Sequence, residues 1–84
     1  MISRRSKNFK KAFASLPSHV QALAVKNFHL WLENPDHPLL NFKPLEEPKW
    51  SVRIGDGHRA VGKRDGSKIT WVWIGSHEAY SKLF

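Results

Sequence analysis

The chain has 84 residues, enough for one small core that hides roughly 60% of the unfolded surface and too few for a second domain. Fourteen Lys and Arg against seven Asp and Glu give a formal charge of +7, which points to an anionic partner, nucleic acid first and then acidic protein or lipid. The lack of Cys excludes disulfide frameworks, thiolate zinc sites and cysteine nucleophiles.

Met1 to Lys11 is basic without the apolar run of a secretory signal, and no stretch approaches the roughly 18 apolar residues of a membrane span. A soluble cytoplasmic protein is expected. Four Trp and five Phe predict an aromatic core.

Ile2 to Arg4 has room for a short edge strand. Behind Ser6, a plausible N-cap, Phe9, Ala12, Phe13 and Leu16 recur at helical spacing. Pro17 ends that helix and, because Pro is tolerated in a first turn, opens a second one, with Val20, Leu23, Ala24, Phe28 and Trp31 on one face. Asn34-Pro35 closes it. So short a connection predicts an antiparallel helical hairpin, its basic block of Arg4, Arg5, Lys7, Lys10 and Lys11 solvated. Asp36 to Lys49, with Pro38, Pro44 and Pro48, is expected to be a traversing loop.

From Trp50 the period becomes two. Trp50, Val52 and Ile54 alternate with Ser51 and Arg53, and Gly55-Asp56-Gly57 supplies a turn. His58 to Lys63 forms a second strand, Asp65-Gly66 a second turn, and Lys68 to Ile74 a third strand. Gly75-Ser76 ends it, and Ser76 caps a final helix with Glu78 in its first turn.

Residues paired across a hairpin share a face. A three-residue first loop pairs Ile54 with His58, Arg53 with Arg59 and Val52 with Ala60; a turn at Asp65-Gly66 pairs Lys63 with Lys68, Gly62 with Ile69, Ala60 with Trp71 and His58 with Trp73. One face then collects Trp50, Val52, Ile54, Ala60, Gly62, Ile69, Trp71 and Trp73, and the other Ser51, Arg53, Arg59, Val61, Thr70, Val72 and Ile74. Two guanidiniums stand opposite each other, a repulsion of some tenths of a kcal/mol that a phosphate or carboxylate between them would relieve. The plain alternative is a pair of solvated residues on a basic sheet, and a two-residue first loop would put them on opposite faces.

His58 is expected as a core residue beside Trp73. His19, His29 and His37 show no metal-ligand spacing. Gly55 to Ala60 imitates a dinucleotide-binding fingerprint, but alternation continues where that motif needs a helix. Trp71 to Ile74 is buried strand in preference to a stacking platform for bases.

The run WSVRIGDGHRAVGKRDGSKITWVWIGSHEAY, Trp50 to Tyr80, resembles the C-terminal sheet of the RelE/ParE superfamily of toxins from bacterial type II toxin-antitoxin pairs: a glycine-to-arginine hairpin, an acidic-glycine turn, an apolar strand and a tail with His and Tyr. The resemblance is weaker before Lys43. It implies one RelE-like α+β domain over 1–84, an N-terminal helical hairpin packed on a three- to four-stranded antiparallel sheet with a short C-terminal helix. For the RelE branch it implies metal-independent cleavage of mRNA on the ribosome, with no cofactor, and a cognate antitoxin as partner. Arg53 and Arg59 then contact the phosphate, and His77 and Tyr80 supply acid/base or base-stacking groups, a histidine being suited to proton transfer near neutral pH. Lys43, Lys49, Lys63 and Arg64 are candidates for further RNA contact. Two departures stand out: Ser51 lies where RelE-type enzymes often carry a second basic residue, and Ser76-His77 where they often carry arginine. The resemblance leaves two other functions open, a ParE-type toxin that binds DNA gyrase and a basic nucleic-acid-binding module without catalysis.

Overall fold

Two of the three α-helices begin at a capping serine. In the computed structural model, which describes all 84 residues, Ser6 Oγ accepts the Phe9 N–H at 3.1 Å and opens α1 (Lys7–Ala14). Pro17 is the residue before α2 (Ser18–Glu33), and Gln21 Nε2 donates back to the Phe13 carbonyl at 3.0 Å, tying the two helices at their turn. A 3₁₀ turn at Pro38–Leu40 buries Leu40. Ser76 Oγ accepts the Ala79 N–H at 3.2 Å and opens α3 (His77–Leu83).

Five strands form one mixed sheet, where three or four antiparallel ones were expected. They are β1 (Ile2–Arg5), β2 (Lys43–Pro44), β3 (Lys49–Ile54), β4 (His58–Asp65) and β5 (Lys68–Ser76), in the order β1-β5-β4-β3-β2. β1 runs parallel to β5 because both helices intervene before the chain returns to the sheet. β2 comes out of the expected loop: Lys43 pairs with Ser51 and Pro44 with Trp50. Proline is tolerated there because an edge strand does not need every N–H.

The first hairpin has the expected register, with Arg53 opposite Arg59 and Val52 opposite Ala60 around Gly55-Asp56-Gly57. The second does not. Asp65 pairs with Lys68, so the turn is Gly66-Ser67, one residue later than expected. Gly66 has φ +60° while Ser67 does not share a positive φ, and a loop with glycine at its first position needs just one such residue. Moving the turn by one residue shifts each partner by two, which keeps Ile69 and Trp71 on the expected face. A β-bulge then reverses the faces beyond them. Gly62 pairs with Trp71 but Val61 with Trp73, leaving Val72 as the extra residue. Ile74 therefore turns into the core opposite Ala60, and Trp73 turns out of it. His58 pairs with Ser76 and is not beside Trp73.

The core is aromatic and lies between the sheet and the α1–α2 pair, joining Phe9, Ala24 and Trp31 to Val52, Ile54, Ala60, Ile69, Trp71 and Ile74. Trp31 meets Trp71 edge-on at 5.3 Å between ring centroids and stacks on Phe28 at 6.3 Å. Its indole N–H is buried without a partner, a cost of about 1–3 kcal/mol. Burying so large a ring contributes roughly 4–6 kcal/mol, so packing prevails. Leu23, expected in the core, is 36% exposed; it covers Gly55, where an added Cβ would lie 2.6 Å from Leu23 Cδ2.

Gly62 is hemmed in by the same core. A Cβ there would fall 2.8 Å from Ile69 Cγ1 and 2.9 Å from Trp71 Cε3, so Gly62→Ala should destabilise the fold by about 1–3 kcal/mol. Urea unfolding measures this, and an unchanged midpoint would show that the sheet absorbs the methyl group freely.

Candidate functional site

Alternation and register place Lys49, Ser51 and Arg53 of β3, Arg59, Val61 and Lys63 of β4, and Thr70, Trp73 and Gly75 of β5 on the sheet face away from α1 and α2. α3 covers the middle of this face. The Tyr80 hydroxyl donates to Ser51 Oγ at 3.2 Å, and Ser51, just 2% exposed, is the one buried polar side chain. Trp73, turned out by the bulge, contacts the Tyr80 ring at 6.4 Å and Phe84 at 5.3 Å. The bulge thus gives α3 an aromatic surface to sit on.

Beyond α3, at the first hairpin, both guanidiniums converge on one acceptor. Arg53 Nε donates to the Gly55 carbonyl at 3.2 Å, and Arg59 Nη1 donates to the same carbonyl at 3.3 Å and to the His58 carbonyl at 2.7 Å. Gly55 reaches this position with φ +60°. Arg53 Nη2 also pairs with the Asp56 carboxylate, the single ion pair in the protein. The backbone carbonyl and Asp56 offset the cross-strand repulsion. Asn27 Nδ2 of α2 donates to the Arg53 carbonyl at 3.2 Å and fixes the strand behind the pair.

The arginines differ in what they have left. Arg53 has committed Nε and Nη2, whereas Arg59 binds through Nη1 alone. The Nε–Nη2 edge of Arg59 is the fork that takes two oxygens of a phosphate or carboxylate side by side.

His77 begins α3 beside this pair. Its N–H donates to the Gly57 carbonyl at 2.8 Å, its exposed ring stacks on Tyr80 at 6.2 Å, and Gly75, two residues earlier, pairs with Arg59. Backbone register therefore brings Arg53, Arg59 and the start of α3 with His77 to the hairpin end of the sheet. Arg53 and Asp56 also line a groove against Lys26, His29 and Glu33 of α2, while the Tyr80 hydroxyl is held by Ser51 at the middle of the face. Lys49 and Lys63 pair with each other lower on that face, about 13 Å along the strand from the arginines. Lys49 Nζ lies 5.6 Å from the Phe84 ring centre, and Lys43 sits exposed on the edge strand beside Ser51. Arg64 is not with them. It pairs with Ile69 on the opposite face, where its guanidinium stacks 4.5 Å over Trp50 and stays by cation–π attraction. His37 Nδ1 accepts the Leu39 N–H, and His19 and His29 are exposed.

Two site residues went unassigned from sequence. Ser51 registered as a missing basic residue, and its signal is a small hydroxyl in an otherwise large-residue strand. Asp56 was absorbed by the turn, although its place three residues after Arg53 put it within pairing reach.

Comparison with known proteins now identifies the family. A family model described as ParE-like toxin domain matches residues 18–82, from the start of α2 almost to the end of α3. The chain belongs to the ParE-like toxin domain family. No curated protein sequence matches this ParE-like chain. Among solved structures, it is similar to a chain of the RelBE2 toxin-antitoxin complex from Mycobacterium tuberculosis (18% identity, 90% of this chain and 96% of that one, TM-score 0.73). It is also similar to a chain of the RelB-RelE antitoxin-toxin complex from Methanococcus jannaschii (14%, 96% and 98%, 0.74). The isolated RelE toxin from E. coli resembles it as well (17%, 96% and 92%, 0.66). At these identities the likeness establishes the fold, that of RelE-type toxins.

In this ParE-like chain the Tyr80–Ser51 bond anchors α3. Ser51→Ala and Tyr80→Phe should each lower stability by about 1 kcal/mol, and the double variant by little more than either alone. Denaturant unfolding of the cycle reads the coupling; fully additive losses would mean that the two hydroxyls act separately.

Proposed function

We propose that the chain is the toxin half of a type II toxin-antitoxin pair, and that it cuts mRNA on the ribosome in a metal-independent reaction until a cognate antitoxin covers the arginines. One observation carries this reading: Arg59 presents an uncommitted guanidinium edge, held by two backbone carbonyls, beside Arg53 and the exposed His77. A metal-independent RNA cleavage asks for these parts, namely cations on the scissile phosphate and groups that move protons on either side of it.

In this mechanism Arg59 grips two phosphate oxygens and meets the charge that grows on them in the pentacoordinate state. Arg53 adds its charge alongside. His77 hands a proton to the leaving oxygen, and the Tyr80 ring beneath it keeps the imidazole upright and offers a flank for a base to stack on. Lys43, Lys49 and Lys63 extend positive charge along the same face, where a strand continuing past α3 would run. A net charge of +7 suits both an RNA substrate and an acidic antitoxin.

The ParE-like description of the family model favours a second reading, a toxin directed at DNA gyrase. That protein would use the same fold without proton-transfer groups, and His77 would be dispensable. Induced expression separates the two. Arg59→Ala should remove growth arrest while the protein stays folded by circular dichroism, and primer extension on cellular mRNA should show new 5′ ends with the wild type alone. Arrest without new mRNA ends, together with inhibited supercoiling in vitro, would favour gyrase. Full toxicity from folded Arg59→Ala would remove the assigned site.

A further inference from the structure

We propose that the groove between the first hairpin and α2 is a base-reading subsite: it takes a nucleotide next to the cut, and Glu33 selects amino-bearing bases, guanine foremost, over uracil. The inference rests on the RNA-cutting function above. The groove measures about 480 Å³, within the range of sites for small molecules. One face of α2 walls it, with Leu23, Lys26, Leu30 and Glu33 at spacings of three and four residues. Arg53, Gly55 and Asp56 wall it from the hairpin, and Leu39 from the 3₁₀ turn.

The two ends of the groove differ in chemistry. Leu23 packs on Gly55 and Asn27 binds the Arg53 carbonyl, so β3 and α2 run in opposite directions and the hairpin lies at the Lys26 end. There Arg53 is paired with Asp56, which leaves the Lys26 ammonium as the cation without an ion-pair partner. Glu33 lies two turns further on, about 10 Å along the helix, the reach of one nucleotide from its phosphate to its Watson–Crick edge. Its side chain is exposed and outside any ion pair. Between the ends stand Leu30 and Leu39. Leu39 is 66% exposed, an apolar flank for the face of a base.

An ionised carboxylate offers acceptors alone. Guanine presents N1–H and its N2 amino group side by side, and one carboxylate takes both. Adenine and cytosine present a single amino group, whereas uracil turns two carbonyl oxygens toward Glu33 around one N–H. His29, one turn before Glu33 on the same groove, is a donor for guanine O6. The groove is continuous with the phosphate site, because both arginines donate to the Gly55 carbonyl and Gly55 lines the groove. An RNA strand with its scissile phosphate on Arg59 therefore has a neighbouring nucleotide at the groove mouth. An acidic protein segment is the poorer occupant, since the unpaired Glu33 would repel it.

Two measurements test the proposal. Guanosine and uridine 5′-monophosphate are titrated into the protein while the Leu30 and Leu39 methyl resonances are followed by NMR, and the cut sites on ribosome-bound mRNA are mapped by sequencing the new 5′ ends. Guanosine monophosphate should bind roughly 10-fold or more tightly than uridine monophosphate, and uracil should be correspondingly rare at one position beside the cut. Glu33→Gln, at an exposed position, should stay folded by circular dichroism and lose both preferences, and Lys26→Ala should weaken both mononucleotides alike. Equal binding of the two mononucleotides, cut sites without a base bias, or a guanosine preference that survives Glu33→Gln would each overturn the proposal. A wild type that cuts no mRNA yet shows the guanosine preference at Leu30 and Leu39 would overturn the RNA-cutting function and leave the base-reading groove standing.

Discussion

Gly55 is the point at which this structure becomes a site. Its φ of +60° turns the chain so that one carbonyl accepts from both guanidiniums, drawing together two cations that repel across the hairpin. The three-residue loop fixes the register, and a loop one residue shorter would send the arginines to opposite faces. The helices hold this turn from behind, since Leu23 packs on Gly55 and Asn27 binds the Arg53 carbonyl. A partly exposed leucine and a polar helical residue thus serve the hairpin in place of the core.

The β-bulge at Val72 has a complementary effect on the other side of the sheet. By turning Ile74 inward and Trp73 outward, it completes the core against α1 and α2 and gives α3 an aromatic surface. α3 buries no residue fully, and it stays in place through Trp73, the Tyr80–Ser51 bond and the His77 N–H on Gly57. These attachments hold the start of α3, and His77 with it, at the hairpin, where Gly75 pairs with Arg59, so a packing irregularity in β5 helps set where α3 begins.

The helices, the first hairpin and the Arg53–Arg59 pairing were legible in sequence because each rests on local chemistry: the Ser6 and Ser76 caps, Pro17, and glycines around a three-residue loop. The membership of the RelE-type fold was legible from the same run. The second turn was not, because Asp65-Gly66 and Gly66-Ser67 both satisfy turn chemistry and the sheet chooses between them. The bulge left no mark on an apolar alternation of Trp71, Val72, Trp73 and Ile74, any of which suits either face. β1 and β2 are set by distant partners, and the hydrogen bond from Tyr80 to Ser51 spans 29 residues. Arg64 resembled the other basic residues until its partner across the strand was known.

The central claim is that the free edge of Arg59 receives an RNA phosphate. Its most direct measurement is an NMR titration of the labelled protein with a short RNA made uncleavable by one 2′-deoxy nucleotide, following the arginine Nε–H resonances. The Arg59 resonance should shift and saturate with one RNA per chain, while Arg64, stacked on Trp50 on the far face, stays where it was. An unmoved Arg59, with shifts confined to Arg4, Arg5 and the basic residues of α1, would contradict the account.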